Sequence, residues 1–160
     1  MSRNWIAIAI AALALWGCVA QSSQRPARPP AVNLDAVLPP QSLLQDDTLE
    51  ALSHDRSTSR LAYVGVWATD GDKCAMMDQT AFQGFAVITP SSMRRSAETC
   101  SFDPGTPGSE AVRLEASCKA RGNKTRKRDV TLQMLSSRSI YISMAPDGPG
   151  VQMVRCRLLE

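Results

Sequence analysis

The sequence predicts an all-β domain, a small antiparallel barrel or sandwich of six to eight strands with a short N-terminal helix. Three observations carry this prediction. From residue 61 onward apolar and polar residues alternate with a period of two, clusters of Gly, Pro, Asn and Asp separate the alternating runs, and helix-length apolar stripes are missing. The sequence shows no βαβ pattern, which excludes a parallel α/β fold. With 160 residues, 44% of them apolar and 21% charged, the chain is long enough for one such domain.

Six runs carry the strand pattern directly. The predicted strands are residues 63–68, 82–89, 112–118, 130–135, 140–145 and 151–156. Turns are predicted at residues 69–72, 90–92, 103–108, 122–123 and 146–150, where Gly, Pro, Asp, Asn and Ser concentrate.

A short amphipathic helix is predicted ahead of the strands, at residues 41–53. Its leucines lie near helical spacing, and acidic residues stand between them. Such a helix either caps the barrel or binds a partner.

The first 18 residues read as a bacterial export signal. One arginine precedes twelve uncharged, mostly apolar residues (5–16), a run too short to span a membrane. The sequence Leu15-Trp16-Gly17-Cys18 then resembles the lipobox of bacterial lipoproteins. This resemblance implies that Cys18 is lipidated and anchors the protein to the outer membrane, on the periplasmic face of the cell envelope. Ordinary cleavage near residues 18–20, giving an unanchored secreted protein, is the alternative. A Pro-rich linker is predicted over residues 19–42, and the barrel domain with its helix over 43–160.

Cysteine number and spacing favour disulfides over a metal site. The cysteines that follow the signal are Cys74, Cys100, Cys118 and Cys156. An even number in an exported chain predicts two disulfides. Zinc is not expected, because no pair has CxxC spacing and His54 stands alone. Three pairings of these four cysteines are possible. The strand map favours Cys100 with Cys118, which a hairpin turning near residues 108–109 would place opposite each other, and Cys74 with Cys156, which would join the first strand to the last.

Catalytic motifs are missing from the sequence. No GxSxG, HExxH, GxGxxG or Walker loop is present, and the adjacent Ser53, His54 and Asp55 do not form a triad by being neighbours. Asp70 and Asp72 flank a glycine and fit a turn. We therefore predict a non-catalytic protein that carries no cofactor and no metal.

Positive charge concentrates around one predicted turn. Six basic residues fall within ten positions: Lys119, Arg121, Lys124, Arg126, Lys127 and Arg128. The rest of the chain after Arg3 has eleven basic and fifteen acidic residues, a net of −4. This basic hairpin either binds anionic lipid, lipopolysaccharide or an acidic polysaccharide, or is a polar loop that discourages strand-edge pairing. Nucleic acid is not an expected partner, because the whole chain has a net charge of only +3 and 5% aromatics.

Gly65-Val66-Trp67 followed by Cys74 resembles the periplasmic inhibitors of secreted bacterial metalloproteases, which are compact disulfide-bonded β-barrels. Together with Arg155-Cys156, it also resembles small bacterial envelope proteins that open with Gly-x-Trp-Ala and end in Arg-Cys. Lipocalins share the Gly-x-Trp start, where Trp plugs the barrel floor and Gly permits a close approach.

The inhibitor resemblance has two further implications. Those inhibitors place residues ahead of the first strand in the protease cleft, which here would be Ser57, Thr58, Ser59 and Arg60. Their single disulfide would correspond to Cys74 and Cys100.

Two functions follow as expectations. The first is an envelope binding module, in particular an inhibitor of an exported hydrolase. The second is a structural or ligand-carrying envelope lipoprotein that binds an anionic lipid or polysaccharide through the basic hairpin. A barrel cavity would extend the second function to lipophilic ligands, and its expected lining is Met76, Met77, Phe82, Phe85 and Met134.

Overall fold

The computed structural model describes residues 36–55, 61–120, 124–145 and 149–158. The predicted export signal with Cys18, most of the predicted linker, the predicted contact residues 57–60 and Arg121 lie outside the described residues. Among the helices of the described segments, none is long and apolar enough to cross a membrane.

Eight antiparallel strands close into a barrel in which each strand pairs with its neighbours in sequence and the last pairs with the first. The strands are β1 Gly65–Ala68, β2 Phe85–Ile88, β3 Ser92–Arg94, β4 Glu98–Ser101, β5 Ala111–Ala120, β6 Thr125–Ser136, β7 Ser139–Ala145 and β8 Val151–Arg155. The predicted small all-β barrel with a short helix is confirmed.

Side chains from all eight strands fill an inner core. Its strand members with at most 1% exposure include Trp67, Ile88, Met93, Leu132, Ile140 and Met153. In β5 the expected alternation is visible directly, because Leu114, Ala116 and Cys118 are buried while the residues between them are exposed. Along β5, apolar side chains therefore face the barrel axis and polar side chains face outward.

Strands β3 and β4 were not among the directly predicted runs. Residue 92 was assigned to a turn, but Ser92 already pairs with Ser101 of β4. The turn lies just before it, where the Thr89 N–H donates to the Ser92 carbonyl over 2.9 Å. Strands of three and four residues, each with one inward apolar side chain, are too short to show an alternating pattern.

A second, outer core covers β1 and β2, which are buried along their whole length. The helix α1 (Asp46–Asp55) contributes Ala51 and Leu52 to it, and a separate 3₁₀ turn at Gln41–Leu43 precedes that helix. The predicted helix of residues 41–53 is thus split in two, and its second part covers the barrel wall. Ala36 and Leu38, within the range predicted as linker, are also buried here.

The expected cavity lining is not formed. Met77, Phe82 and Phe85 belong to the outer core, and Met76 is 40% exposed. Only Met134 packs against the inner core. The expectation of one lipophilic cavity lined by these five residues is therefore wrong, because the Phe and Met side chains near β2 lie on the outer side of the barrel wall.

Candidate functional site

The two ends of the barrel carry the two sets of predicted site residues. Because neighbouring strands are antiparallel, β1, β3, β5 and β7 all start at one end, where β8 finishes with Arg155. We call this the Arg155 end, and residues 61–64 lead into β1 there. The opposite end, the hairpin end, carries the β5–β6 connection and its basic residues.

At the Arg155 end, the guanidinium of Arg155 lies over the buried indole ring of Trp67 and closes that end of the barrel. The Arg155 Cζ atom lies 4.1 Å from the centroid of Trp67, whose Nε1 donates to the Tyr63 carbonyl over 3.0 Å. Arg155 Nη1 donates to the Val64 carbonyl over 2.9 Å, and Nη2 donates to the Ala62 carbonyl over 2.7 Å. The guanidinium therefore donates hydrogen bonds to two backbone carbonyls just before β1 while it stacks on the indole ring.

The glycine of the Gly-x-Trp motif makes room for this arginine. Gly65 has φ +150°, and a Cβ added there would lie 2.8 Å from Arg155 Nη1. The same guanidinium forms an ion pair with Asp55 at the end of α1. It thus contacts the residue just before the undescribed segment 56–60 and, through Ala62, the chain just after it.

The hairpin end exposes most of the predicted basic residues. Lys119 lies on β5 opposite Thr125, and Lys124, Arg126 and Lys127 lie at or just before the start of β6, all of them exposed. Within the described ranges, no acidic side chain forms an ion pair with any of these four cations.

Arg128 is placed differently from the other predicted basic residues. It lies opposite Ala116 on the inward face of β6, its side chain is 12% exposed, and its Nε lies 3.5 Å from a Glu98 carboxylate oxygen. Arg128 therefore neutralises Glu98 inside the barrel mouth. The exposed cationic cluster of the hairpin end consists of Lys119, Lys124, Arg126 and Lys127.

Two disulfides join the four cysteines of the described residues. We call Cys74–Cys156 the long disulfide and Cys100–Cys118 the short disulfide. These are the pairs that the strand map favours, whereas the pairing implied by the inhibitor resemblance, Cys74 with Cys100, is not formed. Glu98 lies close to the short disulfide. The three residues do not make a metal site, since a sulfur in a disulfide is not a thiolate ligand.

An open groove of about 1140 Å³ runs along the barrel wall to the hairpin end. It lies between the start of α1, the loop that leads into β2, the β3–β4 turn and the end of β5. Its lining includes Gln45, Gln79, Thr80, Phe82, Gln83, Phe85, Arg95, Thr99 and Lys119. Arg95 and Lys119 bring positive charge to it, and Lys119 also belongs to the exposed cationic cluster.

A buried ion pair fixes one wall of the groove. The Asp78 carboxylate is completely buried and accepts from Arg94 Nη2 over 2.8 Å, from Thr48 Oγ1 over 2.6 Å and from the Gln45 N–H over 2.9 Å. Arg94 also donates to Asp47. Burial opposes the charge of Arg94, but these two carboxylates outweigh it and raise its pKa above the ordinary value.

The histidine and the turn aspartate that the sequence offers as weak catalytic candidates have ordinary structural surroundings. His54 is exposed in the last turn of α1, and its neighbour Asp55 pairs with Arg155. The Asp70 carboxylate accepts the Lys73 N–H over 3.1 Å and forms an ion pair with the Lys73 ammonium, as a turn residue would. Sequence reasoning did not find the groove, because its lining comes from segments far apart in the chain.

Comparisons with protein-family models, with curated proteins and with solved structures gave no significant match to this chain. The resemblance to metalloprotease inhibitors and to small envelope proteins stays a prediction.

Proposed function

We propose that the protein is a non-catalytic binding module of the bacterial cell envelope that engages an anionic partner with its hairpin end. The observation that carries this proposal is the exposed cationic cluster. Lys119, Lys124, Arg126 and Lys127 project from one hairpin, and no described acidic side chain neutralises them. Clustered cations without partners attract anionic surfaces and polymers.

The packed core supports surface binding over carriage inside the barrel. Trp67, Met93 and Leu132 fill the inner core, and the side chains expected to line a lipophilic cavity lie elsewhere. A module with a filled interior presents its outer surface and its ends to partners. We therefore assign the contact to the hairpin end.

Binding of the purified protein to anionic and neutral partners tests this function. Vesicles of phosphatidylglycerol and a soluble acidic polysaccharide would be compared with phosphatidylcholine vesicles and a neutral polysaccharide, at rising salt. The informative variant is Lys124→Gln with Lys127→Gln. The matched control is Arg138→Glu in the exposed β6–β7 turn at the Arg155 end, since both variants lower the net charge from +3 to +1.

We expect the double variant to weaken binding by about 30-fold, since each cation near an anionic surface contributes about 1 kcal/mol. The control should keep most of the affinity for the anionic partners, and rising salt should weaken the binding of both variants. Equal losses in the two variants would mean that net charge alone drives binding. An unmodified protein that binds none of the anionic partners at low salt would refute the function.

The envelope location is part of the same proposal, and lipidation of Cys18 is its basis. An intact mass of the membrane-fraction protein would be measured before and after reduction and alkylation. The expected mass fits an acylated Cys18 with four thiols that become alkylatable only after reduction. A mass that fits cleavage elsewhere would remove the anchor.

A second candidate function is inhibition of an exported hydrolase through Ser57, Thr58, Ser59 and Arg60. The observation that favours it is the double attachment by Arg155, which bonds to Asp55 on one side of this segment and to Ala62 on the other. Fixed flanks reduce the entropy lost when a segment binds a cleft.

Inhibition assays against secreted metalloproteases test the second candidate. Replacing residues 57–60 by Gly-Ser-Gly-Ser should abolish inhibition and leave vesicle binding unchanged. If the unmodified protein neither inhibits nor retains any of the hydrolases, this candidate is refuted.

A further inference from the structure

We propose that the groove beside the hairpin end binds a segment of an acidic polysaccharide. This inference rests on the proposed function and names the class of anion. It is carried by three features that line the same groove: an aromatic surface, uncharged hydrogen-bonding side chains and a cation.

The aromatic surface is formed by two phenylalanines. The rings of Phe82 and Phe85 lie 5.1 Å apart at 48°, with Phe85 buried and Phe82 partly exposed. On the other side, the guanidinium of Arg94 lies 5.2 Å from the Phe85 centroid and is itself held by Asp78. The Phe82 ring is therefore held by its packing. One face of a pyranose ring carries C–H groups and packs on such a surface.

Neutral polar side chains surround this surface. Gln79, Thr80 and Gln83 follow one wall, and Gln45 and Thr99 contribute amide and hydroxyl groups from other elements. Amides and hydroxyls donate and accept hydrogen bonds, which suits the hydroxyl groups of a sugar chain. A lipid acyl chain would leave these groups unsatisfied.

The charge of the groove selects an acidic sugar. Its two acidic members are already engaged, Asp78 by Arg94 and Glu98 by Arg128. Arg95 and Lys119 have no acidic partner among the described residues, so the groove has a positive excess, although Arg95 Nη1 is engaged by Met144 Sδ over 2.8 Å and Lys119 is the exposed cation. A carboxylate on the sugar chain would meet Lys119.

The shape of the site separates a polysaccharide from a membrane. A bilayer surface contacts protruding residues such as those of the hairpin tip, but it cannot follow a depression in the barrel wall. A polymer chain can lie in the groove and continue past Lys119 onto Lys124 and Lys127. The groove and the exposed cationic cluster would then form one binding path.

Calorimetric titration with oligogalacturonate, a uronic acid oligomer, tests this inference on the full chain, with neutral maltodextrin as the sugar control. Thr99→Trp places a large side chain in the groove from an exposed position on β4. Gln133→Trp adds the same side chain at an exposed position on β6 outside the groove. Both substitutions introduce a residue that strands accept. Phe82→Leu keeps an apolar side chain in the outer core but removes the ring face.

We expect Thr99→Trp and Phe82→Leu each to weaken oligogalacturonate binding by about tenfold or more, as loss of a central aromatic contact does. Gln133→Trp should leave it unchanged, and none of the three should alter binding to phosphatidylglycerol vesicles. Near-ultraviolet circular dichroism would verify that each variant keeps its fold.

The remaining outcomes separate the inference from the proposed function. If oligogalacturonate binding depends on Lys124 and Lys127 but not on Thr99 or Phe82, the groove inference is refuted and the anion-binding function stands. If only the vesicles bind, the partner is a lipid surface and the groove inference is again refuted. If no anionic probe binds, both are refuted.

Discussion

Replacing Arg155 by methionine is expected to destabilise the protein by about 4–5 kcal/mol. Methionine keeps an apolar stem of similar length but has no donors, so the carbonyls of Ala62 and Val64 lose their partly buried partner. Each unsatisfied carbonyl costs about 1.5 kcal/mol, and the lost cation–π contact with Trp67 costs about as much again. The ion pair with Asp55 is largely buried as well, with side chains 11% and 20% exposed, so its loss leaves the Asp55 carboxylate without this partner and adds to the cost.

A graded series makes this expectation sharper. In Arg155→Lys the ammonium can still reach one carbonyl and the indole face, so the expected loss is only about 2 kcal/mol. The control is Arg138→Met in the exposed β6–β7 turn, where surface substitutions change stability by less than about 0.5 kcal/mol.

Urea unfolding followed by Trp67 fluorescence measures these differences. Trp5→Phe and Trp16→Phe would make Trp67 the only tryptophan of the chain. A loss below about 1 kcal/mol for Arg155→Met, or equal losses for Met and Lys, would refute the assignment of these hydrogen bonds as the seal of the barrel.

Three further perturbations test other parts of the fold. Asp78→Asn should cost about 3 kcal/mol in urea unfolding, because its single amide oxygen cannot accept from Arg94 on one side and from Thr48 and the Gln45 N–H on the other, and an effect no larger than that of Asp47→Asn would contradict this. Alanine pairs in place of the disulfides should cost about 4.5 kcal/mol for the long one and about 3 kcal/mol for the short one, since they close separations of 82 and 18 residues; a reversed order would count against loop closure. Burial raises the pKa of Tyr63 above its ordinary 10.0, despite the Gly105 N–H bond that lowers it, so the folded chain holds a proton that the unfolded chain loses. The contribution of Tyr63 to stability should therefore be fully present below about pH 10 and be lost as the pH rises above it, so Tyr63→Phe should reduce the loss of stability between about pH 9 and pH 11 in unfolding experiments.

The sequence predicts β1, β2 and β5 to β8, and the strands with one exposed face show the period of two most clearly. In β5 and β6, outward residues such as Arg113 and Gln133 are exposed while Leu114 and Leu132 are buried, so the period of two is explicit. In β1 and β2 both faces are buried because α1 and the outer core cover them, and the runs are almost continuously apolar.

The contacts at the barrel ends could be predicted only in part. Gly65, Trp67 and Arg155 were singled out as a motif, but their meeting depends on closure of β8 against β1 across a separation of 91 residues from Val64 to Arg155. Gly65 does permit a close approach, as its motif predicts, but the approaching group is the Arg155 side chain. No local pattern encodes such a long-range stack.

The groove lies further beyond sequence reasoning. Phe82, Asp78 and Arg94 each have an ordinary local explanation, as a strand residue, a loop carboxylate and a basic residue near a turn. Asp78, with φ +62°, is set in a backbone conformation that the sequence does not announce. Only the packing of α1 against the wall brings Thr48 and Asp78 together and leaves a depression beside them.

The basic residues at the two ends of the barrel differ in their contacts. Replacing them should therefore affect different quantities, the free energy of unfolding at the Arg155 end and the affinity for anions at the hairpin end. Arg155 is 11% exposed and its donors are bonded to carbonyls and to Asp55, so its replacement should change the free energy of unfolding. Lys124 and Lys127 are exposed without an ion-pair partner among the described residues, so their replacement should leave that free energy nearly unchanged. Variants of Lys124 and Lys127 should therefore lower anion affinity at constant stability, whereas variants of Arg155 should lower stability. This combination would assign binding to the exposed cations.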